Sequence, residues 1–130
     1  MKLYEKYQKS VNEFVKRTLE KYGDKIDSII LFGSVARGEA KEDSDVDILV
    51  IGDVSVEELV DISFPILLEH GKLISAKNVK REHFDFLVRE EYSFAMNILR
   101  EGMILYERMG EAFGESGRKT KILSVRLAVC

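Results

Sequence analysis

Residues 33–47 read GSVARGEAKEDSDVD: a Gly-Ser pair, ten residues, then Asp-Val-Asp. Apolar runs flank the string, Ile29-Ile30-Leu31-Phe32 before it and Ile48-Leu49-Val50-Ile51 after it. Short runs of this kind, rich in β-branched residues and closed by small ones, read as buried strands. A turn of small residues between strands can approach phosphates. Two carboxylates two positions apart on a strand point to the same side and can share a metal ion. No other stretch of the chain offers comparable chemistry.

The rest of the chain bounds what this turn can belong to. It has 130 residues, room for one domain with one core. A formal net charge of -3 argues against broad attraction to nucleic acid or an anionic membrane, so nucleic acid is not expected as a primary partner. Cys130 is the sole cysteine, which excludes an intrachain disulfide and makes a reducing cytoplasm the expected compartment. The first ten residues carry charges throughout and do not read as a signal peptide, and no apolar run is long enough to span a bilayer.

Periodicity supplies the elements. Apolar residues from Leu3 to Tyr22 recur at steps of three and four, which predicts an N-terminal helix over 2–22 stopped at Gly23-Asp24. Strands are expected at 26–32 and 46–51, with a short helix between them capped by Ser34. Ser55 with Glu58 makes a capping box and opens a longer helix. Pro65, the one proline, should kink that helix or split it in two. A third strand is expected at 73–79, helices at 80–89 and 91–101, and a last strand at 103–106. Residues 111–121 read as a linker, and ILSVRLAVC from Ile122 as an apolar tail with weak alternation, suited to an added strand, an interface segment or a disordered end.

Three look-alikes fail for residues 33–47. A P-loop requires lysine where Glu39 stands, and Glu39 would repel phosphate. An EF-hand requires glycine where Ile48 stands and glutamate where Val54 stands. A glycosyltransferase Asp-x-Asp belongs to a larger fold than this chain can hold. By itself an Asp-x-Asp at a strand start is most often a polar turn. The joined pattern of strand, Gly-Ser, Ala-Arg-Gly, ten-residue spacing, Ser-Asp-x-Asp and strand is far more specific.

That pattern resembles the signature of the minimal nucleotidyltransferases of the DNA polymerase β superfamily. The resemblance implies an α/β (α+β) fold, a small mixed sheet flanked by helices, with the domain over 1–108, its core over 25–106, and 109–130 outside it. It implies transfer of a nucleoside monophosphate, AMP from ATP above all, to a hydroxyl, with Mg²⁺ in a two-ion site. Asp45 and Asp47 would be the catalytic metal ligands. Gly33, Ser34 and Arg37 would bind the nucleotide, and Ser44 would order the turn. It also implies a partner: such cores pair with small helical proteins of the HEPN class (higher eukaryotes and prokaryotes nucleotide-binding), acting as antitoxins that adenylylate a tyrosine of the toxin. Self-association is left open. One departure stands out. Active members carry a third carboxylate on a neighbouring strand, and residues 71–81 hold no Asp or Glu. The residues facing the site would be Leu73, Ser75 and Lys77 or else Ile74, Ala76 and Asn78, with Lys77 or Ser75 in the acid's place, and Glu69, Glu82 and Asp85 flank the strand. The alternative function is therefore a degenerate module that binds its partner without catalysis.

The two histidines lack cysteine partners and make no zinc site. His70 reads as a helix-end cation and His83 as exposed. Tyr4, Tyr7, Phe14, Phe84, Phe86, Tyr92 and Phe94 read as core.

Overall fold

The structure is a computed structural model that describes residues 2–41 and 43–108, with side chains from Glu5 onward. The linker and tail expected in 109–130 lie outside the described residues. Helix α1 (Lys2–Tyr22) buries Tyr7, Val11, Phe14 and Thr18, the helical stripe that the sequence predicts. A 3-10 turn (Gly23–Lys25) leads into β1 (Ile26–Phe32). The five-residue α2 (Gly33–Arg37) and a loop connect it to β2 (Val46–Gly52), which pairs antiparallel with β1, Phe32 opposite Asp47.

Helix α3 (Val56–His70) crosses over to β3 (Ile74–Val79), which runs parallel to β2 with Asp47 opposite Ser75 and Leu49 opposite Lys77. Helices α4 (Arg81–Arg89) and α5 (Ser93–Glu101) precede β4 (Met103–Glu107), which adds antiparallel to the free side of β1. The strand order is β3-β2-β1-β4, a four-stranded mixed sheet.

Alternation along the strands sends side chains to two cores. Ile29, Leu31, Val46, Ile48, Val50 and Ile74 meet Tyr7, Val11 and Phe14 of α1 and Leu59, Ile62 and Ile66 of α3. Ile30, Leu49, Ile51 and Val79 meet Phe84 of α4 and Ala95, Ile98 and Leu99 of α5. The central strands are thus apolar on both faces because helices cover both, as their continuous apolar runs require.

Three expectations need correction. Pro65 does not split α3, which runs as one helix with Pro65 inside. Ile62 and Ile66, on either side of the proline, are both buried against the sheet, and that packing keeps the helix continuous. The helix expected from 91 begins at Ser93 instead, because Glu91 takes a left-handed φ of 58° that no helix interior accepts. Of the aromatic residues read as core, Phe86 (39% exposed) and Tyr92 (52%) stand at the surface and pack on each other.

Candidate active site

The Gly-Ser turn and the Asp-x-Asp meet at one end of the sheet, where β1 finishes and β2, β3 and β4 begin. Gly33 takes a φ of 79°, a conformation that costs a side-chain-bearing residue roughly 1–2 kcal/mol. Its second constraint is spatial. A Cβ there would stand 3.0 Å from Asp47 Cγ and nearer still to Oδ2. The Asp47 carboxyl therefore lies directly against the Gly33 backbone.

Ser34 is the second residue of α2, in its first turn. The cap expected of it is absent: Phe32, still extended at φ -143°, holds the N-cap position, and no side chain caps the helix. The turn thus begins one residue earlier than the sequence suggests. Gly38, also left-handed, ends α2, and Glu39 N–H donates to Ser34 O at 2.8 Å. The loop to β2 is held by Ser44 as predicted: Lys41 N–H donates to Ser44 Oγ at 2.7 Å, and Ser44 N–H donates back to Lys41 O at 3.0 Å. The buried Tyr7 of α1 anchors the same loop, its hydroxyl donating to Lys41 O at 2.8 Å.

Asp45, exposed, precedes β2, and Asp47, half-buried, follows two positions later on the α4/α5 side of the sheet, the side of Leu49 and Ile51. Neither carboxylate makes a hydrogen bond or ion pair with another described residue. Burial raises the Asp47 carboxyl above the usual carboxylate range, Lys77 and Arg37 oppose the shift, and the Asp45 charge adds to it.

Two unpaired carboxylates on one side of a strand are oxygen donors suited to a hard divalent cation that completes its shell with phosphate and water. The donor set fits Mg²⁺ to that extent. Among the described residues no group of three or more His, Cys, Asp or Glu gathers anywhere.

The register settles which β3 residues face Asp47: Ser75 directly opposite and Lys77 one step further, on the same side. The flanking acids are no substitute. Glu69 bonds Arg17 of α1 on the other face of the sheet, at 2.8 Å. Asp85 pairs with Arg81 within α4, at 3.7 Å. Glu82 lines a charged cleft of about 420 Å³ at the opposite end of the sheet, together with Asp24, Asp53, Lys80 and Arg81.

Arg37 Nε bonds Glu39, two residues along, at 2.9 Å, and Arg37 Nη1 also reaches Glu101 at the end of α5, 3.2 Å away. Both acids raise the guanidinium's affinity for its proton. Glu101 escaped the sequence reading because it stands 64 positions away, and no local signal connects the two.

The chain is similar to known proteins. The family model of the nucleotidyltransferase domain matches residues 11–106. A Methanocaldococcus jannaschii protein, MJ0604, named as a protein adenylyltransferase by inference, is 41% identical over 99 residues, 76% of this chain and 97% of its own length. Two solved structures share the fold. One is a toxin–antitoxin with AMP-PNP (TM-score 0.55, 13% identity, 89% of this chain and 82% of that one). The other is a nucleotidyltransferase, so named by inference, from Sulfolobus solfataricus (TM-score 0.51, 17% identity, 82% and 86%).

Proposed function

The chain belongs to the nucleotidyltransferase domain family, and from that premise we propose that it transfers AMP from ATP to a hydroxyl of a protein partner. The observation that carries the proposal is the contact between the Gly33 turn and Asp47, which puts the small-residue turn directly beside one of the two carboxylates of the Asp-x-Asp. In the reaction the acceptor oxygen attacks the α-phosphorus, the bond to the bridging oxygen breaks, and pyrophosphate leaves with the charge. Gly33 admits the triphosphate to the backbone, and the Ser34 hydroxyl donates to its terminal oxygens. Arg37, exchanging its bonds to Glu39 and Glu101 for phosphate, neutralises part of the charge. Asp45 and Asp47 hold Mg²⁺, which when bound neutralises phosphate charge and favours departure of pyrophosphate. With no acid on β3, the acceptor's proton passes to water.

The partner in this reading is a small helical HEPN-type toxin with a tyrosine acceptor. The toxin–antitoxin that shares this fold supports an antitoxin role, and the reducing cytoplasm is its setting. A second reading, partner binding without catalysis, is favoured by one observation: a lysine, Lys77, stands beside Asp47 where an acid is expected. Incubation with α-labelled ATP, Mg²⁺ and the product of the neighbouring gene separates the two. Label on the partner supports transfer, and an intact complex without label leaves only the binding reading.

A further inference from the structure

Helix α3 turns an apolar stripe to the outside. Val56 (48% exposed), Val60 (48%), Phe64 (54%) and Leu68 (70%) recur at every fourth residue, and Leu73 (42%) extends the row beyond the helix end. These five make up most of the large exposed apolar side chains among the described residues. Contiguous apolar surface on this scale marks a docking site more often than a bare solvent face. Glu57 and Asp61, both exposed, flank the stripe in the first half of the helix.

We infer that the stripe is the docking face for the chain's own segment 122–130, reached through 109–121. Three observations favour that occupant. The first is where the described chain stops. Arg108 N–H donates to Asp27 O at 2.9 Å, and its guanidinium bonds the carbonyls of Gly23 and Asp24 at 2.8 and 2.6 Å. Asp53 N–H donates to Lys25 O at 2.9 Å, and Ser55 caps α3 two residues later. Arg108, the last described residue, thus lies at the end of the sheet where α3 starts. The thirteen-residue connection, at roughly 3.3 Å per extended residue, outreaches the fifteen-residue helix, which rises only about 1.5 Å per residue.

The second observation is repeat length. Leu123, Val125, Leu127 and Val129 fall at every second position. In extended chain that spacing is roughly 6.6 Å. Four residues of helix rise about 6 Å. Four apolar side chains can therefore meet four over the length of α3. The third is charge. Residues 116–130 contain Arg118, Lys119, Lys121 and Arg126 and no acid, complementary to Glu57 and Asp61. A second copy of α3 packed in parallel would instead set those acids against their own kind. The stripe lies on the face of the sheet opposite the Asp47 carboxyl, so a docked segment leaves the candidate active site open.

Cys130 supplies the test, because it is the chain's one cysteine. Three full-length variants, Val56→Cys, Leu68→Cys and Tyr92→Cys, each add a single exposed thiol, the last on the opposite face of the sheet. Each is oxidised at low micromolar concentration and followed by non-reducing gel and intact mass. The inference expects Val56→Cys or Leu68→Cys, according to the direction of docking, to close an intrachain disulfide at least tenfold faster than Tyr92→Cys. Equal rates in all three variants would overturn it. So would covalent dimers in place of intrachain closure, which would assign the stripe to a second copy, or no disulfide at either α3 position, which would leave it to another protein. Removal of 109–130 supplies a second reading: binding of an apolar dye should rise severalfold, and unchanged dye binding contradicts the inference.

Discussion

The Asp47 carboxyl rests against the backbone of Gly33, so close that a Cβ on the glycine would stand 3.0 Å from Asp47 Cγ. Backbone conformation and carboxylate position are therefore set together. Gly33→Ala brings two penalties, a left-handed φ and a displaced carboxyl. We expect it to lower stability by about 1–3 kcal/mol and nucleotidyl transfer by roughly a hundredfold, read by thermal unfolding and by label transfer from ATP.

Asp47 itself should be a stability liability. Burial raises its carboxyl, so between the unfolded and folded values the native state holds more proton than the unfolded chain. Stability from this group is then highest below the ordinary carboxylate range and falls as pH rises through the raised value. In metal-free buffer at neutral pH, Asp47→Asn should raise Tm, and the gain should vanish in acid. A lower Tm at neutral pH would contradict the burial argument.

Tyr7 couples α1 to the loop ahead of the aspartates through its bond to Lys41 O. Tyr7→Phe removes one buried hydrogen bond, about 1 kcal/mol, and frees the loop that places Asp45. The expected signature is a small loss in Tm with a larger rise in KM for ATP. If Tm alone moves, the loop does not depend on the anchor.

Arg37 sits between two acids on an exposed surface, where solvent-screened ion pairs add little to stability. Glu101→Gln should therefore leave Tm nearly unchanged while it eases release of Arg37 to phosphate. Arg37→Ala should weaken ATP binding about tenfold. Calorimetric titration of both variants with ATP and Mg²⁺ checks the pair.

The elements that carry the site were the most legible part of the chain. The expected bounds of β1 are those found, and β2 runs one residue longer, because the apolar runs stop at Gly33 and Gly52. The Ser55–Glu58 capping box is formed on both sides. Local chemistry failed where packing decided. Pro65 breaks an isolated helix, yet α3 is held by residues of the sheet that lie far away in sequence. Ser34 has the composition of a cap, but the helix starts ahead of it, with Phe32 in the N-cap position. The face of β3 turned toward Asp47 was open between two sets, since Leu73, Ser75 and Lys77 alternate with Ile74, Ala76 and Asn78 without a clean polar side. Only pairing with β2 decides it. The Arg37–Glu101 link depends on α5 ending over α2, which no local pattern encodes.

The most direct test of the site is metal-dependent ATP binding by the wild type and by the double variant Asp45→Asn, Asp47→Asn, titrated with and without Mg²⁺. The site described here predicts binding that requires Mg²⁺ in the wild type and is lost in the double variant, with the fold intact by circular dichroism. Mg²⁺-dependent binding that survives the double change would contradict the assignment of Asp45 and Asp47 as the metal ligands.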